Sequence, residues 1–264
     1  MNISEKFTVC FPTWNNLKYL QLFYKSLRQN SYDKNIPLVL HVNEGADGTP
    51  EWCEKNGIAF VRSDKNLGIS IPINNAQRLV ETEFSILLAD DIYLLPNWDL
   101  QLYKVLEFYR FDDSCWIAPR LLEPINCFAP QEHPYCSIGN FGQTIEEFQE
   151  EKLLNEYKQY FTNIKKLPNG NMAIKTSVFR DLGGYDEEYI SGADSQFTWT
   201  FVKKYGTSNI KQLGSALAYH FGSIVSNQNQ EKKLESNRQA IELFQKKNGF
   251  FIGDITKRIL TDTI

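Results

Sequence analysis

Two adjacent carboxylates, Asp90 and Asp91, close the apolar run from Phe84 to Ala89. Acidic side chains so placed can ligate a hard divalent cation, because Mg²⁺ and Mn²⁺ take oxygen ligands and a diphosphate can supply the rest of the shell. An Asp-Asp pair after a strand also serves ordinary turns and helix caps, so its surroundings must decide. Three other polar clusters precede it: Pro12-Thr13-Trp14-Asn15-Asn16, Asn43-Glu44-Gly45-Ala46-Asp47-Gly48-Thr49 and Asp64-Lys65-Asn66-Leu67-Gly68. Further along, Asp194 offers a carboxylate that could cap a helix over Ser195 to Lys204 or accept a proton. His220 stands among apolar residues, where a packed core histidine is the ordinary outcome. Cys127, His133 and Cys136 lack an obvious fourth ligand, so no zinc site is indicated.

The elements that must position these residues can be read from hydrophobic spacing. Phe7 to Phe11 is a short β-prone run, and Leu17, Leu20, Phe23, Tyr24 and Leu27 recur at helical spacing behind it. Leu38 to Val42 and Ile58 to Arg62 repeat the strand signal, with helices expected from Pro50 to Asn56 and through Asn74 to Glu81. Phe84 to Leu88 is the fourth strand. Alternation at these intervals predicts an α/β fold with a mainly parallel, Rossmann-like sheet covered by helices on both faces. Ligands collect at the carboxyl ends of such strands, so the four polar clusters should converge on one crevice. Beyond residue 100 the pattern predicts a helix from Asp99 to Tyr109, a strand at Trp116 to Ala118, a polar passage from Glu123 to Gln143 and an amphipathic helix from Glu146 to Phe161.

Composition narrows the function classes. A length of 264 residues with 42% hydrophobic content suits one large domain, and a net charge of -4 provides no basic field for duplex nucleic acid. Five cysteines without a C-x-x-C pair argue against a disulfide framework and fit a reducing, cytoplasmic setting. No run is long enough to span a bilayer. The stretch from Lys246 to Ile264 mixes basic residues with Phe250, Phe251, Ile255, Ile259 and Leu260, a composition compatible with peripheral contact at the inner membrane face. No G-x-G-x-x-G follows the first strand, which disfavours a dehydrogenase, and no Gly-rich basic loop is present to hold a triphosphate.

The order of the motifs resembles the inverting glycosyltransferases of family 2, which have the GT-A fold, over residues 6 to 250. Phe11-Pro12-Thr13-Trp14-Asn15-Asn16 is similar to the family's P-T-Y-N loop, and Val42-Asn43-Glu44-Gly45-Ala46-Asp47-Gly48-Thr49 to its V-D-D-G-S-x-D-G-T segment. Asn66-Leu67-Gly68 and Asn74-Asn75 match the N-x-G and downstream Asn positions. Leu88-Ala89-Asp90-Asp91, with Pro96-Asn97-Trp98 behind it, corresponds to the metal motif and its P-x-W. Asn169 to Ile174, Gly183-Gly184-Tyr185-Asp186-Glu187 and Gly192-Ala193-Asp194-Ser195 resemble acceptor-side elements.

The resemblance implies donor-nucleotide contacts from Pro12, Thr13, Trp14, Asn15, Asn43, Glu44, Asp64, Asn66, Gly68, Asn74 and Asp90. It further implies Mn²⁺ or Mg²⁺ held by Asp91 and His220, and Asp194 as the catalytic base. The implied partners are a nucleotide-diphosphate sugar, a UDP-sugar first, and a glycan or lipid-linked saccharide acceptor. One domain is expected, with a nucleotide-sugar half over about 1–100, an acceptor half over about 101–250 with an insertion near 121–166, and a tail over 251–264. Departures matter too: Leu88 or Ala89 stands at the first acidic position, Asn43 replaces an Asp, and Ala193 replaces the Glu before the base. These losses keep open an inactive sugar-nucleotide or glycan binding protein on the same fold. The absence of a Q-x-x-R-W motif favours single addition over processive synthesis.

Overall fold

The computed structural model describes residues 2–124, 136–222 and 230–263. Its first third is the alternating unit the sequence predicts: β1 (Phe7–Trp14), α1 (Leu17–Asn30), β2 (Leu38–Asn43), α2 (Thr49–Lys55), β3 (Ala59–Ser63), α3 (Ser70–Gln77) and β4 (Phe84–Leu87). These four strands are parallel in the order β3-β2-β1-β4. Apolar side chains alternate between two faces, as a two-residue strand period requires. Val9, Phe11, Leu38 and Leu40 join the cluster under α1 and α2, whereas Cys10 and Val39 join the cluster under α3. Helix α3 starts at Ser70, earlier than its spacing suggests, because the Ser70 hydroxyl donates to the buried Tyr189 carbonyl at 2.6 Å and fixes the first turn.

The sheet then continues with β5 (Ile92–Leu94), helix α4 (Trp98–Phe108), β6 (Trp116–Glu123) and β7 (Cys136–Ile138). After α5 (Glu150–Glu156) come β8 (Met172–Lys175), α6 (Thr176–Asp181), α7 (Ala193–Tyr205), β9 (Ile210–His220), α8 (Gln230–Asn248) and α9 (Ile255–Thr261). Across the sheet the order is β3-β2-β1-β4-β8-β6-β9-β5, with β7 on β6. Strand β8 is antiparallel to β4 and β6, and β5 is antiparallel to β9, so the second half is mixed. Strands β5, β7, β8 and β9 carry no sequence expectation.

Two expectations are corrected here. The strand from Trp116 runs on to Glu123, past Pro119, because the pairing of β6 with β9 shifts register between Pro119 and Arg120; an irregularity of this kind tolerates a residue without an N–H. The long helix expected from Glu146 to Phe161 is α5 followed by a 3₁₀ turn at Tyr157–Tyr160. Phe148 lies outside the helix because its ring packs against Tyr93, Tyr219 and Phe221 at 5.0, 5.6 and 5.1 Å, in a third aromatic core. The C-terminal stretch turns much of its apolar surface inward. Ile255 and Ile259 are buried and Phe250 packs on Trp199, leaving Phe251 and Leu260 exposed. Among the described residues no helix is long and apolar enough to cross a membrane, and Cys10, Cys53 and Cys115 are buried free thiols. Cys127 and His133 lie outside the described residues.

Candidate active site

Three strand ends meet at Asp91. Strand β9 pairs with β5 in the register Ile92↔His220, and the Phe221 N–H donates to the Asp91 carbonyl at 3.1 Å, so the sheet itself fixes His220 beside Asp91. On its other edge β9 runs parallel to β6 with Leu122↔Tyr219, which brings Glu123 to the far side of the imidazole. His220 Nε2 lies 3.3 Å from Asp91 Oδ1, and His220 Nδ1 lies 2.7 Å from Glu123 Oε1. Asp91, Glu123 and His220 are 4%, 7% and 8% exposed. Burial alone would lower the pKa of His220, but the charge of Asp91 and hydrogen bonds to both carboxylates outweigh it and push it up to about 10. The ring is therefore an imidazolium between two carboxylates.

Asp90 meets a different environment. Its Oδ2 accepts the Thr13 hydroxyl at 2.7 Å, which ties the end of β1 to the end of β4. Burial, and after it the neighbouring charge of Asp91, push its carboxyl up to about 7, and the Thr13 hydrogen bond opposes that rise.

Beside this pair, the ends of β1 and β2 make a polar shelf. Trp14 Nε1–H donates to Glu44 Oε2 at 2.6 Å, and Asn15 Nδ2–H donates to the same oxygen at 3.2 Å. Asn15 and Glu44 both hold left-handed backbone, at φ 47° and 63°, a conformation uncommon for residues other than glycine and enriched where loops serve a ligand. Asn43 is buried, and its amide is spent on the next loop: Oδ1 accepts the Leu67 N–H at 3.0 Å and Nδ2 donates to the Gly68 carbonyl at 3.3 Å. Asn66 Oδ1 accepts the Gly68 N–H at 2.9 Å, while Asp64 is exposed at the rim. Pro12 lies within β1, paired in register with His41 of β2.

Asn74 of α3 bonds to the backbone of a distant turn. Its Oδ1 accepts the Tyr185 N–H at 2.8 Å and its Nδ2 donates to the Tyr185 carbonyl at 2.9 Å, so it clasps the Gly183-Gly184-Tyr185 turn. A side chain on Gly184 would meet Asn74 Oδ1 at 2.5 Å, which explains glycine there. Asn43 likewise holds a loop rather than facing outward, so Glu44 is the acidic group left on the shelf.

Several of the residues expected on the acceptor side line a cavity of about 580 Å³. Leu88 and Ala89 from the end of β4, Asn169 to Asn171 leading into β8, and Asp194, Ser195 and Thr198 of α7 line it together with Glu123 and His220. Asp194 is not the helix N-cap. Gly192 is, at φ 65°, and Asp194 lies in the first turn. A Cβ on Gly170 would come 2.7 Å from Asp194 Oδ2, so only glycine lets the β8 lead-in approach that carboxylate so closely. Burial raises the Asp194 pKa, against backbone hydrogen bonds at Ser195 and Asp194 that lower it. A carboxylate held this way is a stronger base than an exposed one.

For a cation, the described residues supply one carboxylate and one imidazole at hand, with Glu123 behind the ring, and no group of three or more His, Cys, Asp or Glu arranged as a metal cage. That set fits an ion whose remaining ligands come from a phosphate-bearing substrate and water. With the strand expected to stop at Ala118, sequence reasoning had no ground for setting Glu123 beside His220.

Residues 8–182 match the profile of the family described as Glycosyl transferase family 2. No curated protein sequence matches the chain. Among solved structures, S. aureus TarS 1–349 in complex with UDP is similar over 93% of this chain and 72% of that chain, with a TM-score of 0.60 and 16% identity. The same S. aureus fragment without a named ligand gives 0.59 at 17% identity over 93% and 74%, and its UDP-GlcNAc complex 0.58 at 16% over 94% and 74%. At such identities the likeness carries the fold, the GT-A arrangement of a mainly parallel sheet between helices. The profile covers more than half of the chain, from β1 through α6 and including Asp90 and Asp91, and the chain belongs to glycosyl transferase family 2.

Proposed function

We propose that this protein transfers a single sugar from a UDP-sugar to a hydroxyl of a saccharide or glycan acceptor, with inversion and with the aid of Mn²⁺ or Mg²⁺. The observation that carries this is the meeting of Asp91, His220 and Glu123 at one joined strand edge, with Thr13 and Asp90 on one side and Asp194 in the adjoining cavity. Two of the TarS structures with this fold are complexes with UDP and UDP-GlcNAc, which supports the choice of donor.

In this proposal Trp14, Asn15 and Glu44 hold the base and ribose, with Thr13, Asp90 and the rim residues Asp64, Asn66 and Gly68 beside them. Asp91 and His220 would hold the divalent ion, which supplies Lewis-acid stabilisation of charge on the leaving diphosphate. Asp194 takes the proton of the acceptor hydroxyl as its oxygen bonds to the anomeric carbon and the bond from that carbon to the diphosphate breaks. UDP leaves with the bonding pair, and attack from the opposite face inverts the centre. Partial burial of Asp194 raises the pKa of its carboxyl, which suits it to accept that proton.

A thermal-shift screen of UDP, GDP, ADP and CDP with Mn²⁺ tests the donor assignment. UDP at 100 times its Kd should add about 2.7 kcal/mol of stability. A response to none of the four would sink the proposal. Asp194→Asn should keep the UDP response and lose turnover, and near-normal turnover by that variant would remove the base assignment.

A further inference from the structure

The family profile ends at residue 182, yet one wall of the 580 Å³ cavity is built by the last elements of the chain. Ile252, Gly253, Ile255 and Thr256 line it together with Asp194. The segment is firmly seated: Ile255 and Ile259 are buried against the core that holds α7, Arg258 lies 4.0 Å over the Phe250 ring, and Lys166 pairs with Asp262 at 2.5 Å. Ile252 also lies over the start of the helix that carries Asp194, where a Cβ on Gly192, the α7 N-cap, would come 3.4 Å from Ile252 Cδ1.

The lining has a definite chemistry. Ile69 and Ile73 of the α3 region, with Leu87, face the cavity along with Ile252 and Ile255 from the C-terminal segment. Asp194 and Glu123 are its carboxylates, and no Lys or Arg lines it among the described residues. His220 is the one imidazole in the lining and is already held between Asp91 and Glu123, so a phosphate or uronate seated here would meet Asp194 and Glu123 with no Lys or Arg among the described residues to balance it. Its volume lies within the ordinary range for a small-molecule site.

Building on the transferase reading above, we propose that residues 252–261 form the acceptor wall, and that the acceptor portion seated there is uncharged and carries an apolar flank beside the reacting hydroxyl. Thr256 is the selecting position. It is half-buried on the cavity side of α9, and its neighbour Ile255 anchors the helix to the core.

The test is UDP release from UDP-glucose, UDP-galactose and UDP-GlcNAc with Mn²⁺, measured above background hydrolysis with phenyl glycosides or with the corresponding sugar 6-phosphates as acceptors. Calorimetry of UDP binding runs in parallel. Phenyl glycosides should stimulate release at least about tenfold more than the phosphates, and Thr256→Trp should cut that stimulation by a similar factor while UDP affinity is retained. Retained UDP binding also reports that the variant is folded. Should Thr256→Trp not fold, Thr256→Ala should shift preference toward naphthyl over phenyl glycosides. Equal or better use of the phosphates, full stimulation in Thr256→Trp, an unchanged aglycone preference in Thr256→Ala, or no effect of phenyl glycosides while UDP binds would each overturn this inference alone. Failure of UDP to bind would instead overturn the transferase reading beneath it.

Discussion

Asp90 and Asp91 are neighbours in sequence but occupy different sites. Asp91 faces a charged imidazole, whereas Asp90 faces a hydroxyl and is driven toward its neutral form. The His220 ring sits between the Asp91 and Glu123 carboxyl groups, and removing one member of a buried ion pair is costly. His220→Ala should therefore lower stability by roughly 3 kcal/mol near neutral pH without added metal, read by urea unfolding. The sign with pH follows from the raised pKa: the contribution is fully present below 6.5 and is lost as pH rises through about 10. Wild-type stability should fall across that window, and His220→Gln should flatten the slope. If the proposed cation replaces the Asp91–His220 contact, it must displace a proton from the ring, so Mn²⁺ affinity should rise with pH. Calorimetry of Mn²⁺ binding in buffers of different ionisation enthalpy should report about one proton released. At this scale the sequence was partly legible. Family resemblance pointed to Asp91 and His220 as ligands, but it could not see that Asn43 and Asn74 spend their amides on backbone, since those partners lie 24 and 111 residues away.

Elements place these groups through strand ends more than through local motifs. The register Ile92↔His220 and the parallel neighbour β6 bring three residues together from distant parts of the chain. A closely packed joint of the same kind lies where the lead-in to β8 meets the first turn of α7. Gly170→Ala would force its Cβ to 2.7 Å from Asp194 Oδ2, so the carboxylate must move. Transfer should drop by about 100-fold while UDP binding is unchanged, measured by steady-state kinetics and calorimetry, because a displacement of about 1 Å at a reacting group costs that much. The alternating strands and helices up to β4 were readable because each apolar run ends in turn residues and each helix carries its own periodicity. Beyond residue 100 the signal weakens for physical reasons: Pro119 interrupts a strand that an irregular register carries through, and Phe148 is drawn from a helical pattern into an aromatic core.

At the scale of the whole molecule, a parallel half presents polar loops along one edge and a mixed half closes that edge with β9, α7 and the C-terminal segment. The first half was legible because its four strands alternate with helices and pair in parallel, each ending in turn residues. The second was not, because β8, β6 and β9 find partners far away in the chain, and because the apolar residues near the C-terminus could serve a membrane or a core equally well in composition. The central claim is that the Asp91 corner acts through a divalent ion on a UDP-sugar. UDP release from UDP-sugars by wild type and Asp91→Ala, with Mn²⁺ and with EDTA, addresses it most directly. The account predicts release that EDTA abolishes and that Asp91→Ala lowers by at least about 100-fold, the loss of several kcal/mol of transition-state stabilisation. Equal rates in wild type and Asp91→Ala, or full activity in EDTA, would contradict it.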